Sequence, residues 1–223
     1  MKIYLDPGHG GSDVGAVSFI QESKYTLSYA LELGRVLSLL GFTVNYSRTT
    51  DNTVSLAQRG AAANAWGADL FISIHFNAGV GGHGIETYAL SPGGKAEQLA
   101  GAVQTSLIAS TNQFDRHVKF ANFQVLRDTS MPAILIEGGF VDDAGDSTRI
   151  ATGDYKQKYV QSITRALCGF TGVAYKEVNA MATTQPQPDK DGWLSVRVLD
   201  SKADALIKQI TDLGYACQKM PLA

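Results

Sequence analysis

Residues 69–74, Asp-Leu-Phe-Ile-Ser-Ile, form a near-continuous apolar run of strand length. A strand apolar on both sides belongs inside a parallel sheet whose two faces are both covered. Residues 2–5, 42–46, 84–90, 123–126 and 133–136 read as further strands. Between them lie stretches of helical spacing at 22–40, 54–66, 95–111 and 154–168. In the first, Leu27, Leu31, Leu37 and Leu40 recur at near-helical intervals, and Gly41 follows as a C-terminal stop. In the last, Tyr159, Ile163 and Leu167 share a face. The alternation predicts an α/β fold, a mostly parallel sheet with helices on both faces. Sites in such sheets form beyond the carboxyl ends of strands.

The pattern predicts one domain over residues 1–175. A polar, proline-bearing stretch at 176–192 reads as a linker. Residues 193–223 then read as a small βαβ-like element: a strand at 193–199, a helix at 201–213 capped by Ser201, and a second strand at 215–220. So short a piece buries little core alone, so it is expected to dock on something or to pair with a second copy as a homodimer.

Charge narrows the function. Lys+Arg 19 against Asp+Glu 21 leaves a net charge of −2, with no basic excess to neutralise a phosphate backbone. No apolar run approaches the roughly 18 residues of a membrane span. Cys168 and Cys217 match no zinc or redox spacing and read as ordinary thiols. Met1–Leu5 runs straight into a glycine-rich turn, without the long apolar segment and cleavage site of a secretory signal. As a complete reading frame, the chain would be made in the cytoplasm and would reach a cell wall only after release.

Four polar residues are candidates for chemistry. His9 sits among Gly8, Gly10, Gly11 and Gly15, after the first strand. Glu22 opens the first long helix, His75 follows the 69–74 run, and Glu137 follows Ile134-Leu135-Ile136. Two imidazoles and one carboxylate suit a catalytic zinc site that keeps a position for water. Bound zinc lowers the pKa of that water, and a further carboxylate such as Glu137 can move its proton. Each residue also has a plainer reading. His9 can serve its glycine loop, Glu22 can favour a helix N-terminus, and His75 can be a core histidine. Glu137 is harder to explain without a task, because a charge at the end of a buried strand needs a partner. The glycine loop is not a dinucleotide site, since Asp13 stands where GxGxxG needs glycine.

Four segments taken together are recognisable: Asp6-Pro7-Gly8-His9-Gly10-Gly11, Gln21-Glu22-Ser23, Ser73-Ile74-His75-Phe76-Asn77-Ala78 and Glu137-Gly138-Gly139-Phe140. The chain closely resembles the zinc-dependent N-acetylmuramoyl-L-alanine amidases of the type 3 family over roughly residues 1–170. Residues 47–51, 55–59, 119–127 and 131–133 agree with it. The resemblance implies a Zn2+ cofactor held by His9, Glu22 and His75, with Glu137 as the catalytic carboxylate. It implies peptidoglycan as substrate, cut at the amide between N-acetylmuramic acid and L-alanine of the stem peptide. Asn77 and Arg127 are candidate substrate contacts, although Arg127 can equally pair with Asp128 or Glu137. His117 stands where the family often has glycine, and His83 has no assigned role. The 193–223 piece loosely resembles half of a wall-binding SPOR-like module. An unsecreted wall hydrolase resembles a phage endolysin or a spore mother-cell lysin. The alternatives are a zinc peptidase acting within the stem and a non-catalytic wall-binding module.

Overall fold

The computed structural model describes residues 1–178. The linker from residue 179 onward and the βαβ-like element expected at 193–223 lie outside the described residues. The elements run β1 (Lys2–Pro7), α1 (Glu22–Leu39), β2 (Thr43–Tyr46), α2 (Leu56–Trp66), β3 (Leu70–Asn77), β4 (Ile85–Ala89), α3 (Gly94–Thr111), β5 (Asp115–Phe120), α4 (Gln124–Arg127), β6 (Ala133–Phe140), α5 (Ala144–Ile150) and α6 (Gly153–Thr171). The strands form one sheet in the order β2-β1-β3-β6-β4-β5. β2, β1, β3 and β6 are parallel to one another, β4 runs antiparallel to β6, and β5 is parallel to β4. This is the expected mostly parallel α/β sheet.

Strand alternation divides the core in two. Ile3, Leu5, Ile72, Ile74, Ile134 and Ile136 face a large cluster with Tyr29, Leu33, Leu99, Tyr159 and Ile163 of α1, α3 and α6. Tyr4, Phe71, Ala133 and Leu135 face a smaller cluster with Ala63 of α2 and Val125 and Leu126 of α4. Fully burying each Leu or Ile contributes about 1.5–3 kcal/mol, so the larger face carries most of the apolar stabilisation. The thinner face is covered by one helix of 11 residues and another of 4. At the carboxyl edge of the sheet this face leaves room for polar side chains.

Several expectations need correction. Residues 123–126 are not a strand: Gln124–Arg127 is a short helix. The missing strand is β5, Asp-Arg-His-Val-Lys-Phe, a half-exposed edge strand with four charged or titratable residues and no apolar run. A four-residue apolar stretch cannot by itself tell a strand from a helical turn. Helix α5 was also not anticipated. β3 and β6 continue past 74 and 136, so His75 and Glu137 lie within the ends of their strands rather than beyond them.

Candidate metal centre

The site begins with the entry to α1. No side chain caps this helix. Its first amides are satisfied by the preceding loop instead, with Glu22 N–H donating to the Ala16 carbonyl and Ser23 N–H to the Val14 carbonyl. The Glu22 carboxylate is thereby free to turn away from the helix end. It lies between two imidazoles, with Oε2 3.1 Å from His9 Nε2 and Oε1 3.0 Å from His75 Nδ1. Backbone amides also hold it: Ala16 N–H donates to Oε2 at 3.0 Å and Phe76 N–H to Oε1 at 3.1 Å. One donor atom from each of His9, Glu22 and His75 lies within 4.8 Å of the others. Tetrahedral zinc with bonds of about 2.1 Å needs donors roughly 3.4 Å apart, so the set is compatible with such an ion.

The histidines are oriented by their surroundings. His9 Nδ1 lies 2.9 Å from both oxygens of Asp13. A carboxylate only accepts, so Nδ1 carries a proton toward Asp13, and Nε2, which here faces Glu22, is the nitrogen that would give its lone pair to a bound ion. His9 itself holds φ 59°, a left-handed conformation uncommon outside glycine. The loop tolerates this because its carbonyls are gripped. Arg59 Nη2 donates to the His9 carbonyl at 2.8 Å, and Arg48 Nη2 donates to the Gly8 carbonyl at 2.8 Å.

Burial alone would lower the His9 pKa, but the hydrogen bond to Glu22, then Asp13, raises it. Burial would raise that of Glu22, yet the hydrogen bonds from His75 and His9 hold it well below the ordinary carboxylate range. Glu137 is the opposite case. β3 and β6 pair His75 with Glu137 directly. Among the described residues the buried Glu137 Oε2 has no hydrogen-bond partner. Burial, followed by the charges of Glu22 and Glu86, pushes its pKa well up.

The chain has known relatives. The family model described as N-acetylmuramoyl-L-alanine amidase (Amidase_3) matches residues 3–169. The chain belongs to this amidase family. It is 46% identical over 169 residues to the N-acetylmuramoyl-L-alanine amidase CwlM of Bacillus licheniformis, covering 74% of this chain and 65% of that protein's length. It is 30% identical over 207 residues to the endolysin of Bacillus phage SPP1, covering 89% of this chain and 76% of that one. The crystal structure of an N-acetylmuramoyl-L-alanine amidase from Clostridium difficile 630 superposes with a TM-score of 0.74 at 33% identity, covering 78% of this chain and 98% of that one.

Within this amidase fold, His9, Glu22, His75 and Glu137 come together. Asn77 lies two residues beyond His75, and its Nδ2 donates to Glu86 Oε1 at 2.8 Å. Arg127 bonds to Asn122, lies 3.5 Å from Asp128 and makes no bond to Glu137 among the described residues. His83 packs near Phe114, and the exposed His117 pairs with Asp115. His117 has φ 66°, the conformation glycine adopts freely, which explains the glycine often found there.

Sequence reasoning missed Asp13, Arg48 and Arg59 as positioning residues. Asp13 had a faint signal, an acid four residues from His9 in a glycine loop. The arginines lie in the stretches 47–51 and 55–59 that agree with the family resemblance, but no local pattern shows their role, because their burial depends on β1, β2 and α2 meeting.

Gly8 shows how tightly the cluster is built. A Cβ at Gly8 would lie 2.2 Å from His75 Cε1. We expect Gly8→Ala to displace the ring and weaken zinc binding roughly tenfold or more, as read by chelator competition on the folded variant. Affinity equal to that of the parent would show that the close approach is unimportant.

Proposed function

We propose that this chain is a zinc-dependent peptidoglycan hydrolase that cleaves the amide between N-acetylmuramic acid and L-alanine. The observation that carries this reading is the His9–Glu22–His75 donor set beside the Oε2 of Glu137, which has no partner among the described residues. Two imidazoles and a carboxylate are a zinc donor set that leaves one position open, so the residues fit the ion. His9 Nε2, a Glu22 carboxylate oxygen and a His75 ring nitrogen would hold it. Zinc bound there supplies Lewis acidity, lowering the pKa of water and polarising the scissile carbonyl. Asp13 keeps the His9 proton on Nδ1, so Nε2 stays free to ligate. Glu137 Oε2 takes the proton of the attacking water and passes it to the departing amine nitrogen. Asn77, on the groove beside Glu86, and Arg127 are the candidate substrate contacts; each already bonds to protein, Asn77 to Glu86 and the Ala78 amide, Arg127 to Asn122 and Asp128.

Mass spectrometry of purified wall digested with and without chelator tests this. New amines should appear on L-alanine only, vanish with chelator and return with zinc. New amines inside the stem would instead identify a peptidase, and digestion indifferent to chelator would remove the metal from the reading.

The 207-residue match to the SPP1 endolysin supports an endolysin role, in which the protein is made in the cytoplasm and acts on the wall after release. Among the described residues no helix is long and apolar enough to cross a membrane. Cytoplasmic expression should then lyse cells only once the membrane is permeabilised. Intact cells after permeabilisation would argue against that role.

A further inference from the structure

Two strands away from His75, a second polar cluster lies on the same face of the sheet. β6 pairs Glu137 with His75 on one side and with Glu86 of β4 on the other. Paired residues project to the same face, and strands lie about 4.8 Å apart, so the Glu86 backbone is roughly 10 Å from that of His75. Glu86 is buried and saturated. Oε1 accepts from Asn77 and from Tyr88 Oη at 2.7 Å, and Oε2 accepts from Arg116 Nε at 2.6 Å and from Lys119 Nζ.

Two cations on one carboxylate leave a positive surplus, and the backbone is bent to create it. Arg116 and Lys119 are an odd number of residues apart, so in a regular strand they would point to opposite faces. The ladder slips here: Ile85 pairs with Asp115 but Thr87 pairs with Val118. The extra residue is accommodated by His117 in its left-handed conformation, and both cations reach Glu86. Bulges that re-aim a side chain in this way recur next to active sites.

Arg116 is also held flat, its guanidinium 4.9 Å from the centre of the Phe140 ring. Only Nε is bonded to protein among the described residues, so both Nη groups remain available. They border an open groove of about 560 Å³ lined by Asn77, Gly79, Gly82, Tyr88, Lys119 and Phe140. A planar, pre-oriented guanidinium with two unused N–H edges matches a carboxylate.

We propose that Arg116, supported by Lys119, binds a free carboxylate on the stem peptide downstream of L-alanine and so sets substrate preference. This rests on the amidase reading above, which places the scissile amide at the zinc-ligating residues; the inference adds that the peptide runs along the groove toward β4 and β5.

The test measures equilibrium binding of two peptides to the full chain, both with the glutamate γ-carboxylate blocked as an amide: L-alanyl-D-glutamate with its α-carboxylate free, and the same peptide with an α-carboxamide. The carboxylate form should bind about tenfold tighter or better, and Arg116→Lys should bring the ratio toward one. Equal binding by the parent chain overturns the proposal without needing a variant. Discrimination that survives in folded Arg116→Lys places the preference elsewhere and also overturns it. Hydrolysis of the matching muramyl peptides is followed separately. If neither is cut, the amidase reading fails while the binding comparison still decides the subsite. If both are cut, the loss in Arg116→Lys should fall on KM for the carboxylate substrate.

Discussion

Replacing Glu137 with Gln should reduce hydrolysis by about 10²- to 10⁴-fold, leave one zinc per chain and make the metal-free protein more stable. The three effects separate because Glu137 is not among the three clustered donors. Its Oε2 is buried without a partner among the described residues, and Glu22 and Glu86 add like charge. Gln keeps the shape and removes the charge, relieving about 1–3 kcal/mol of uncompensated burial. For a chain of this size each kcal/mol corresponds to roughly 2–4 °C of melting temperature. The sign of the pH dependence follows from the raised pKa. In the metal-free chain, folded Glu137 holds its proton to higher pH than the unfolded chain does, so the metal-free parent loses stability as pH rises above the ordinary Glu value. The advantage of Gln should therefore be small near pH 4 and grow toward neutrality. Calorimetry of the metal-free chain across that range, with zinc content and wall digestion measured after zinc is restored, checks all three. Full turnover by the variant would remove Glu137 from the chemistry, and loss of zinc would make it a ligand instead.

The cost in stability that Glu137 carries is also what made it legible. Ile134-Leu135-Ile136 demands burial, and a carboxylate at the end of that run conflicts with its surroundings. The sheet was readable for the same reason: runs such as residues 69–74 are long enough to exclude other arrangements. β5 was not, since Asp115, Arg116, His117 and Lys119 hide its pattern, and its bulge breaks the alternation that would have exposed it. Glu22 was ambiguous in sequence, because a carboxylate in the first turn of a helix also favours the dipole. Only the loop carbonyls of Val14 and Ala16, by satisfying the helix amides, release its side chain. The convergence of residues 9, 22 and 75 depends on β1 lying beside β3, a long-range pairing that no local pattern reports.

That convergence rests on Arg59, and Arg59→Met should cost about 3–5 kcal/mol. Nη1 donates to Asp6 Oδ1 and to the Pro7 carbonyl at 2.7 Å each, Nη2 to the His9 carbonyl at 2.8 Å, and Nε to the Val54 carbonyl at 3.1 Å. Met fills much of the volume, but it leaves Asp6, which has no exposed surface, with only Ser47 and Ser73 as donors. An uncompensated buried carboxylate is the larger part of the loss, so adding Asp6→Asn to Arg59→Met should recover some of it. The melting temperature should fall by roughly 6–20 °C in the single variant and by less in the double. Zinc affinity should follow a different rule. It depends on the His9 carbonyl being held, not on the charge of Asp6, so both variants should bind zinc about 10- to 100-fold more weakly. Restored stability with zinc binding still impaired would separate the two roles of this one side chain. A melting temperature within 2 °C of the parent would show that Arg59 contributes little to either.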